Sequence, residues 1–249
     1  MFISDLMKDD ATYFSSDISD EMNRLYVENF EKSNAALNPK IKLEWIKDSS
    51  EQIDIEKYID GMGSDISKKL FCIQADNEKL PYPDNSFDLY LSSLSLMLVN
   101  NYKNQISECY RVLQPGGKAG FTTFGRPENC NYATFIPEVL KDLGHDIEKL
   151  PANHLFDTGN IVQLEKDFRD IGFTSVKLYY IKNNILFENE IEQLEILLQS
   201  PVLKNLIDNL TEEEKQKFLE ELNKQWNQRF GVDSIEPTEW ELLVCVVTK

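Results

Sequence analysis

Positive charge is scarce in this chain of 249 residues, which carries 26 lysine and arginine residues against 43 aspartate and glutamate residues. The net charge of −17 disfavours nucleic-acid partners, because proteins bind phosphate backbones mainly through lysine and arginine. Hydrophobic residues make up 41% of the sequence, which is enough to bury the core of a globular protein. We therefore expect a folded protein whose partners are not nucleic acids.

Long apolar runs are absent as well. No stretch has the roughly 20 apolar residues that a membrane-spanning helix needs. Residues 1–10 also lack the basic region and the apolar run of a secretory signal. The cytoplasm is therefore the expected location, and no membrane span is predicted.

Cysteine and histidine, the common ligands of transition metals, are few. The four cysteines show no metal-ligand spacing: Cys72, Cys109, Cys130 and Cys245. Because Cys72 and Cys245 fall in apolar segments typical of buried strands, we interpret the cysteines as core residues and predict no metal site. His145 and His154 fall at a predicted loop, where we expect exposed side chains, with a general base as the alternative.

A pattern of strands and one helix occupies residues 69–124. Apolar runs at residues 70–74, 87–92 and 117–124 are bounded by turn residues, which is typical of buried strands. Before the third run, apolar residues recur at helical spacing, and the Pro-Gly-Gly sequence at residues 115–117 is predicted to end that helix. Strands joined by a crossover helix indicate a parallel α/β sheet that binds ligands at the carboxyl ends of its strands.

Three motifs of this core resemble those of the class I S-adenosylmethionine-dependent methyltransferases, in particular the type 11-like group. They are Ala-Asp at residues 75–76, Leu-Pro-Tyr-Pro-Asp-Asn-Ser-Phe-Asp at residues 80–88, and Arg-Val-Leu-Gln-Pro-Gly-Gly at residues 111–117. The resemblance implies a Rossmann-like methyltransferase fold, with a mostly parallel sheet and helices on both faces. It also implies S-adenosylmethionine as the cofactor.

The resemblance implies that Asp17 and Ile18 bind this cofactor. Asp17 follows a predicted strand at residues 12–16 and precedes a helix predicted to begin near Ser19. It matches the acidic residue that accepts hydrogen bonds from both ribose hydroxyls in the family, a task that suits a carboxylate. The alternative is an ordinary aspartate in the turn before a helix.

Four further cofactor-binding residues are implied by the resemblance. Asp76 matches the position whose carboxylate accepts the adenine amino group, and the backbone of Asn77 lies beside it. Ser92 and Ser93 end the strand that borders the methyl-transfer site. The alternative for Asp76 is the first residue of an Asx turn.

No catalytic residue can be named. The run after Ser93, at residues 94–99, is mostly apolar and offers no general base. Such a site suits an acceptor that needs no proton removed, or no chemistry at all. Arg126 is predicted to be a solvated side chain, with a contact to an anionic substrate as the alternative.

The first strand of the family and the glycine-rich turn after it are missing before Asp17 and are expected to lie before Met1. The only Gly-x-Gly, at residues 61–63, does not follow a buried strand, so we interpret it as a loop. Alternating apolar residues predict a strand at residues 40–47. This strand either fills the gap or, as we favour, is an edge strand or hairpin arm within an insertion over residues 38–68.

The rest of the chain is predicted to complete one methyltransferase-like domain over residues 1–249. The predicted helices cover residues 133–143, 158–171, 188–199 and 211–230, and the predicted strands cover residues 176–181 and 241–248. The two later helices belong to an insertion over residues 188–231. This insertion is predicted to form a cap over the site or a surface for a protein partner.

Three hypotheses for the function remain open. The first is a methyltransferase that acts on a small molecule and gains most of its rate from positioning. The second is a catalytically inactive relative that serves as a binding or scaffold protein, because the glycine-rich turn is missing. The third is that Met1 is not the natural start, so that the missing strand and turn lie upstream.

Overall fold

The computed structural model describes residues 11–46, 52–62, 65–145, 154–185, 210–230 and 238–249. The chain divides into two compact units. The first comprises Met1–Tyr90, Val99–Lys118 and Lys249, and the second comprises Leu91–Leu98 and Ala119–Thr248. The single domain over residues 1–249, with its insertions, stays a prediction.

The first unit contains a three-stranded parallel sheet. Its strands are β1 (Thr12–Asp17), β2 (Ile41–Ile46) and β3 (Lys68–Gln74), in the spatial order β1-β3-β2. Asp17 lies opposite Gln74, and Ile46 lies opposite Ile73. The carboxyl ends of all three strands therefore meet at one edge of the sheet.

Strand β3 is buried on both faces, which is why its sequence is a continuous apolar run. All four residues from Leu70 to Ile73 are fully buried. The ring of Phe71 stacks on that of Phe14 with 4.8 Å between the ring centroids, and Tyr82 packs edge-on against Phe14. This aromatic group fixes β1 against β3 and continues into the motif at residues 80–88.

The helices of the first unit begin at polar caps. Helix α1 (Asp20–Glu31) starts after Ser19, whose side chain accepts a hydrogen bond from the Met22 N–H, as the sequence predicted. Helix α2 (Ile55–Gly61) starts after Asp54, which caps the Lys57 N–H. Because α2 extends to Gly61, the prediction of a loop at residues 61–63 is wrong at its first residue.

The strand predicted at residues 40–47 forms β2 and lies at an edge. Within the described sheet it pairs with β3 alone and does not contact the free side of β1. The edge-strand alternative is therefore confirmed, and β2 does not fill a central gap.

A second sheet has four strands in the order β4-β5-β7-β6. They are β4 (Phe87–Ser93), β5 (Leu113–Phe124), β6 (Ser175–Ile185) and β7 (Thr238–Thr248). Strands β6 and β7 pair in the antiparallel direction. Helix α3 (Tyr102–Val112) connects β4 to β5.

The Pro-Gly-Gly sequence at residues 115–117 follows the end of α3 but lies inside β5, so the third core strand begins at Leu113 and not at residue 117 as predicted. Helix α3 ends at Val112, and Leu113 is already extended with φ −71° and ψ 138°. Proline disfavours a helical conformation at the residue before it, so the chain must leave the helix before Pro115. Gly116 has a φ of 82°, and its N–H donates to the Lys249 carbonyl.

Three more helices complete the described structure: α4 (Asn131–Asp142), α5 (Ile161–Ile171) and α6 (Glu212–Phe230). Helix α5 begins after Asn160, which caps two backbone N–H groups, and not at Thr158 as predicted. Thr158 is instead buried, with its hydroxyl hydrogen-bonded to that of Thr123. Helix α6, predicted at residues 211–230, begins at a capping box that Thr211 and Glu214 form. The helix predicted at residues 188–199 lies outside the described residues.

Among the described residues, no helix is long and apolar enough to cross a membrane. The same part of the chain contains no cluster of cysteine, histidine and acidic residues that can hold a metal ion. All four cysteines are buried and free, as expected for core residues.

Candidate functional site

Two of the predicted cofactor residues lie at the carboxyl ends of neighbouring strands. Asp17 ends β1, and Asp76 follows β3 after Ala75, whose N–H donates to the Asp17 carbonyl over 3.0 Å. The parallel pairing of β1 with β3 therefore brings both carboxylates to the same edge of the sheet. Ligands of parallel α/β sheets bind at this edge.

One of the two carboxylate oxygens of Asp17 is hydrogen-bonded to the backbone. Its Oδ1 accepts a 2.8 Å hydrogen bond from the Ser19 N–H, which shapes the turn into α1. Within the described residues, Oδ2 has no hydrogen-bond donor. The side chain of Ile18 is 64% exposed beside it, and the Ile18 carbonyl accepts from Gln74 Nε2 over 2.9 Å.

Asp76 opens an Asx turn, the alternative considered from the sequence. Its Oδ1 accepts from the Glu78 N–H over 2.8 Å, and the Lys79 N–H donates to its carbonyl. The side chain is exposed, and Oδ2 has no donor in the described part of the chain. The Asx turn thus uses one oxygen and leaves the other for a ligand, and Asn77 lies half-buried beside it.

The buried side-chain amide of Asn23, in α1, stabilises the turn at Asp17. Asn23 is 1% exposed, and its Nδ2 donates to the Asp17 carbonyl over 2.9 Å. Its Oδ1 accepts from the Cys72 thiol over 3.2 Å. Burial raises the pKa of Cys72 to about 12, so the sulfur keeps the proton that it donates. Sequence reasoning missed Asn23, although a polar residue on the apolar face of an amphipathic helix was a usable signal.

The turn that carries Asp76 is held by α3. Glu78 accepts from the Asn100 N–H over 2.7 Å, just before Asn101 caps the helix. Arg111 donates to the carbonyls of Leu80 and Tyr82 and forms an ion pair with Asp84, while Glu108 binds the opposite side of the Arg111 guanidinium. The conspicuous motifs at residues 80–88 and 111–117 are therefore structural partners of each other.

Ser92 and Ser93 belong to the second unit and point to opposite faces of β4. Ser92 is buried, whereas Ser93 is exposed and places its Oγ 3.1 Å from Thr122 Oγ1 on β5. The next residue, Leu94, has a φ of 53°, an uncommon conformation for a branched side chain, and its N–H donates to the Thr122 carbonyl over 2.9 Å. The strand thus ends in a sharp, strained turn.

Arg126 is neither a free cation nor a purely solvated side chain. Its guanidinium forms two hydrogen bonds with the carboxylate of Glu241, over 2.9 Å to Oε1 and 2.6 Å to Oε2. It also lies over the ring of Tyr180, at 4.6 Å from the centroid. The Arg126 hydrogen bonds hold the pKa of the buried Glu241 carboxyl at about 2. Sequence reasoning missed Glu241, which looked like the polar start of a strand.

The two histidines do not share a site in the described structure. His154 is exposed and places Nδ1 2.9 Å from Asp157 Oδ2. His145 follows α4, and its N–H donates to the Leu140 carbonyl. The exposed position expected for His154 is confirmed.

Two family models match this chain over the elements just described. A model of the methyltransferase domain matches residues 2–121. A model of the ubiE/COQ5 methyltransferase family matches residues 62–183, so that the two together cover most of the chain. Both models describe methyltransferases, and residues 2–183 of the chain belong to that family. The family resemblance seen in the sequence is thereby confirmed.

Curated relatives align with only part of the chain. The ubiquinone/menaquinone biosynthesis C-methyltransferase UbiE of Cronobacter sakazakii is 27% identical over 124 residues, which are 46% of this chain and 49% of that protein. The malonyl-[acyl-carrier protein] O-methyltransferase of Methylococcus capsulatus is 33% identical over 119 residues, which are 48% of this chain and 37% of that protein. The alignments thus span about half or less of each relative.

The methyltransferase fold extends further than the sequence alignments. A crystal structure of a candidate methyltransferase from Bacillus halodurans superposes with a TM-score of 0.50 at 18% identity, covering 98% of this chain and 94% of that one. The predicted Rossmann-like α/β fold is thereby confirmed.

S-adenosylmethionine is the cofactor of this family, and the strand ends of the first unit fit it. Its ribose hydroxyls and adenine amino group are hydrogen-bond donors. Asp17 and Asp76 each present a carboxylate oxygen that no described donor occupies, and carboxylates accept such donors well.

Proposed function

We propose that this methyltransferase transfers a methyl group from S-adenosylmethionine to a small molecule, and that it binds the cofactor at the carboxyl ends of β1 and β3. The observation that carries the proposal is the pair of carboxylates, Asp17 and Asp76, whose Oδ2 atoms face no described donor. Their Oδ1 atoms are fixed by Ser19 and Glu78, so both carboxylates are oriented before a ligand arrives.

Each residue of this edge has a role in the proposal. Asp17 Oδ2 accepts from the ribose hydroxyls, and the exposed side chain of Ile18 offers apolar surface to the adenine ring. Asp76 Oδ2 accepts from the adenine amino group, with the Asn77 backbone beside the ring. Asn23 acts as a positioning residue, because it ties the Asp17 carbonyl to β3 through Cys72.

Ser92 and Ser93, which lie in the second unit, stay predicted cofactor residues. Ser93 presents its hydroxyl at an exposed strand end, and Ser92 is buried behind it. The bound cofactor supplies an electrophilic methyl group on a sulfonium. Leu96 and Met97, which follow, are buried core residues, so the chain contributes positioning there and not a general base.

Calorimetric titration of S-adenosylmethionine into three variants tests the proposal. Asp17→Asn and Asp76→Asn keep the Oδ1 acceptors of their turns but remove the charge, so the fold should survive. We expect a dissociation constant on the order of micromolar for the unchanged chain and at least a roughly tenfold weakening in Asp17→Asn and in Asp76→Asn, because each loses a charge-assisted hydrogen bond.

The matched control is Asp20→Asn, an exposed carboxylate in the first turn of α1, three residues from Asp17. It should bind like the unchanged chain. Equal weakening in all three variants would show a general electrostatic effect and no site at the strand ends. A folded chain that binds no cofactor would instead support the inactive binding or scaffold protein.

A further inference from the structure

Gln74 lies between the two carboxylates of the cofactor edge, by which we mean the carboxyl ends of β1 and β3. It is the last residue of β3, the central strand of the first sheet, and it lies opposite Asp17 in the register. Asp76 follows two residues later. The four residues before Gln74 are buried, whereas its own side chain is exposed. A polar side chain therefore lies in the middle of the edge where the cofactor is proposed to bind.

One hydrogen bond fixes the direction of the Gln74 amide. Its Nε2 donates to the Ile18 carbonyl over 2.9 Å. Because a carbonyl oxygen only accepts hydrogen bonds, the amino side of the amide must face Ile18, and Oε1 must face away from it. An exposed glutamine normally loses conformational freedom when it binds a ligand. The Gln74 side chain is already held by the backbone, so it binds a ligand at a lower entropic cost.

The Gln74 amide keeps an unused donor. Nε2 carries two N–H groups, and the Ile18 carbonyl needs only one of them. Within the described part of the chain, neither the second N–H nor Oε1 has another partner. The side chain therefore offers a ligand one donor beside one acceptor.

A donor at this position complements the two carboxylates. Ionised Asp17 and Asp76 can only accept hydrogen bonds. Adenine presents an amino group that donates, but its ring nitrogens N1, N3 and N7 can only accept. A carboxylate repels the lone pair of a ring nitrogen, so recognition of that atom requires a donor such as the second N–H of Gln74. A purine that lacks this nitrogen should then bind more weakly.

We infer that Gln74 is a specificity-determining residue of the cofactor edge, and that its second Nε2–H donates to a ring nitrogen of the adenine. The hydrogen bond to Ile18 holds the amide in place for this contact. The inference rests on the proposed function, because it requires the adenine to lie at the cofactor edge.

Calorimetric titration of S-adenosylhomocysteine and of its 1-deaza, 3-deaza and 7-deaza analogues tests the inference. Each analogue has a C–H group in place of one ring nitrogen and so lacks one acceptor. The unchanged chain should bind one analogue at least about fivefold more weakly than S-adenosylhomocysteine, because one hydrogen bond is lost. Gln74→Met keeps the length of the side chain but has no N–H. This variant should bind S-adenosylhomocysteine about fivefold more weakly than the unchanged chain does, and should bind the same analogue as well as S-adenosylhomocysteine.

Gln114→Met is the matched control. Gln114 is also an exposed glutamine in a strand of the first unit, but it lies near the start of β5. This variant should keep all affinities of the unchanged chain, and both variants should keep its melting temperature, because both side chains are exposed.

Two results would overturn the inference while S-adenosylhomocysteine still binds. One is that the unchanged chain binds all three analogues as tightly as S-adenosylhomocysteine. The other is that every loss of affinity for an analogue persists in Gln74→Met, which would make Gln74 only an anchor for the Ile18 backbone. A folded chain that does not bind S-adenosylhomocysteine would overturn the proposed function as well.

Discussion

Arg126 and Glu241 form an ion pair with unequal solvent access. The Glu241 side chain is 2% exposed, whereas the Arg126 side chain is 48% exposed. Glu241 also accepts from Asn129 Nδ2 over 2.9 Å and from the Arg126 N–H. Its carboxylate therefore ties the segment after β5 to β7. A Cβ at Gly125 would lie 2.7 Å from Glu241, so only glycine permits this approach.

This pair predicts an acid-sensitive contribution to stability. The Glu241 pKa falls from an ordinary 4.5 to about 2 on folding, so its stabilising effect is complete above pH 4.5 and is lost as the pH falls toward 2. Glu241→Gln should lower the free energy of unfolding by about 1–3 kcal/mol at pH 7, allowing for the exposed partner. Urea unfolding at several pH values measures this. A difference from the unchanged chain that grew below pH 4 would contradict it.

The cysteines predict slow thiol chemistry. All four are buried, and burial raises the pKa of Cys245 to about 12 and that of Cys109 well above its usual value. Because the thiolate is the reactive form, the folded chain should react with a disulfide reagent at pH 8 at least about a hundredfold more slowly than the urea-unfolded chain. A thiol that reacts at once in the folded chain would show that a cysteine is accessible.

At the scale of elements, Arg111 of α3 organises the segment between β3 and β4. Its guanidinium binds two backbone carbonyls and two carboxylates, and these hydrogen bonds raise its pKa above the usual value. Arg111→Ala should destabilise the fold by about 2–3 kcal/mol, because the buried carbonyls and Glu108 lose their donor.

The measurement is chemical unfolding, with Arg24→Ala as the control. Arg24 also contacts two glutamates, but it lies half-exposed on α1 and binds no backbone carbonyl of the described residues. Arg24→Ala should lower the free energy of unfolding much less than Arg111→Ala, since exposed ion pairs contribute little to stability. Equal losses in the two variants would show that Arg111 is only another surface ion pair.

The elements were largely predictable wherever local chemistry decides them. Strand β3 follows from its apolar run, α1 from the Ser19 cap, and α6 from the Thr211–Glu214 capping box. The predictions were wrong where contacts between residues distant in sequence determine the secondary structure. Residues 115–117 lie in β5 because Lys249 forms backbone hydrogen bonds with Gly116 and Gly117. Thr158 lies before α5, where its hydroxyl is hydrogen-bonded to that of Thr123.

The candidate site was predictable only in part for the same reason. Asp17 and Asp76 could be proposed from the sequence because both match positions of the resembled family and each stands at the end of a predicted strand. The partners of Asn23 and Glu241 could not be predicted, since they lie 49 and 115 residues away in the sequence.

At the scale of the whole molecule, the net charge of −17 should affect the two forms of the cofactor differently. S-adenosylmethionine carries a positive sulfonium that S-adenosylhomocysteine lacks. An acidic protein attracts a cation over a range that salt shortens. Raising sodium chloride from 20 to 300 mM should therefore weaken S-adenosylmethionine several-fold more than S-adenosylhomocysteine, as measured by calorimetry. Equal salt dependence would show that net charge has no part in binding.

The central claim is that the cofactor lies across the carboxyl ends of β1 and β3. Amide chemical shifts of ¹⁵N-labelled protein, followed while S-adenosylhomocysteine is added, test it most directly. The account predicts that the largest shifts occur at Ile18, Asp76 and Asn77, saturate together and need at least about ten times more ligand to saturate in Asp17→Asn. Saturable shifts confined to other segments, or no shifts in a folded sample, would contradict it.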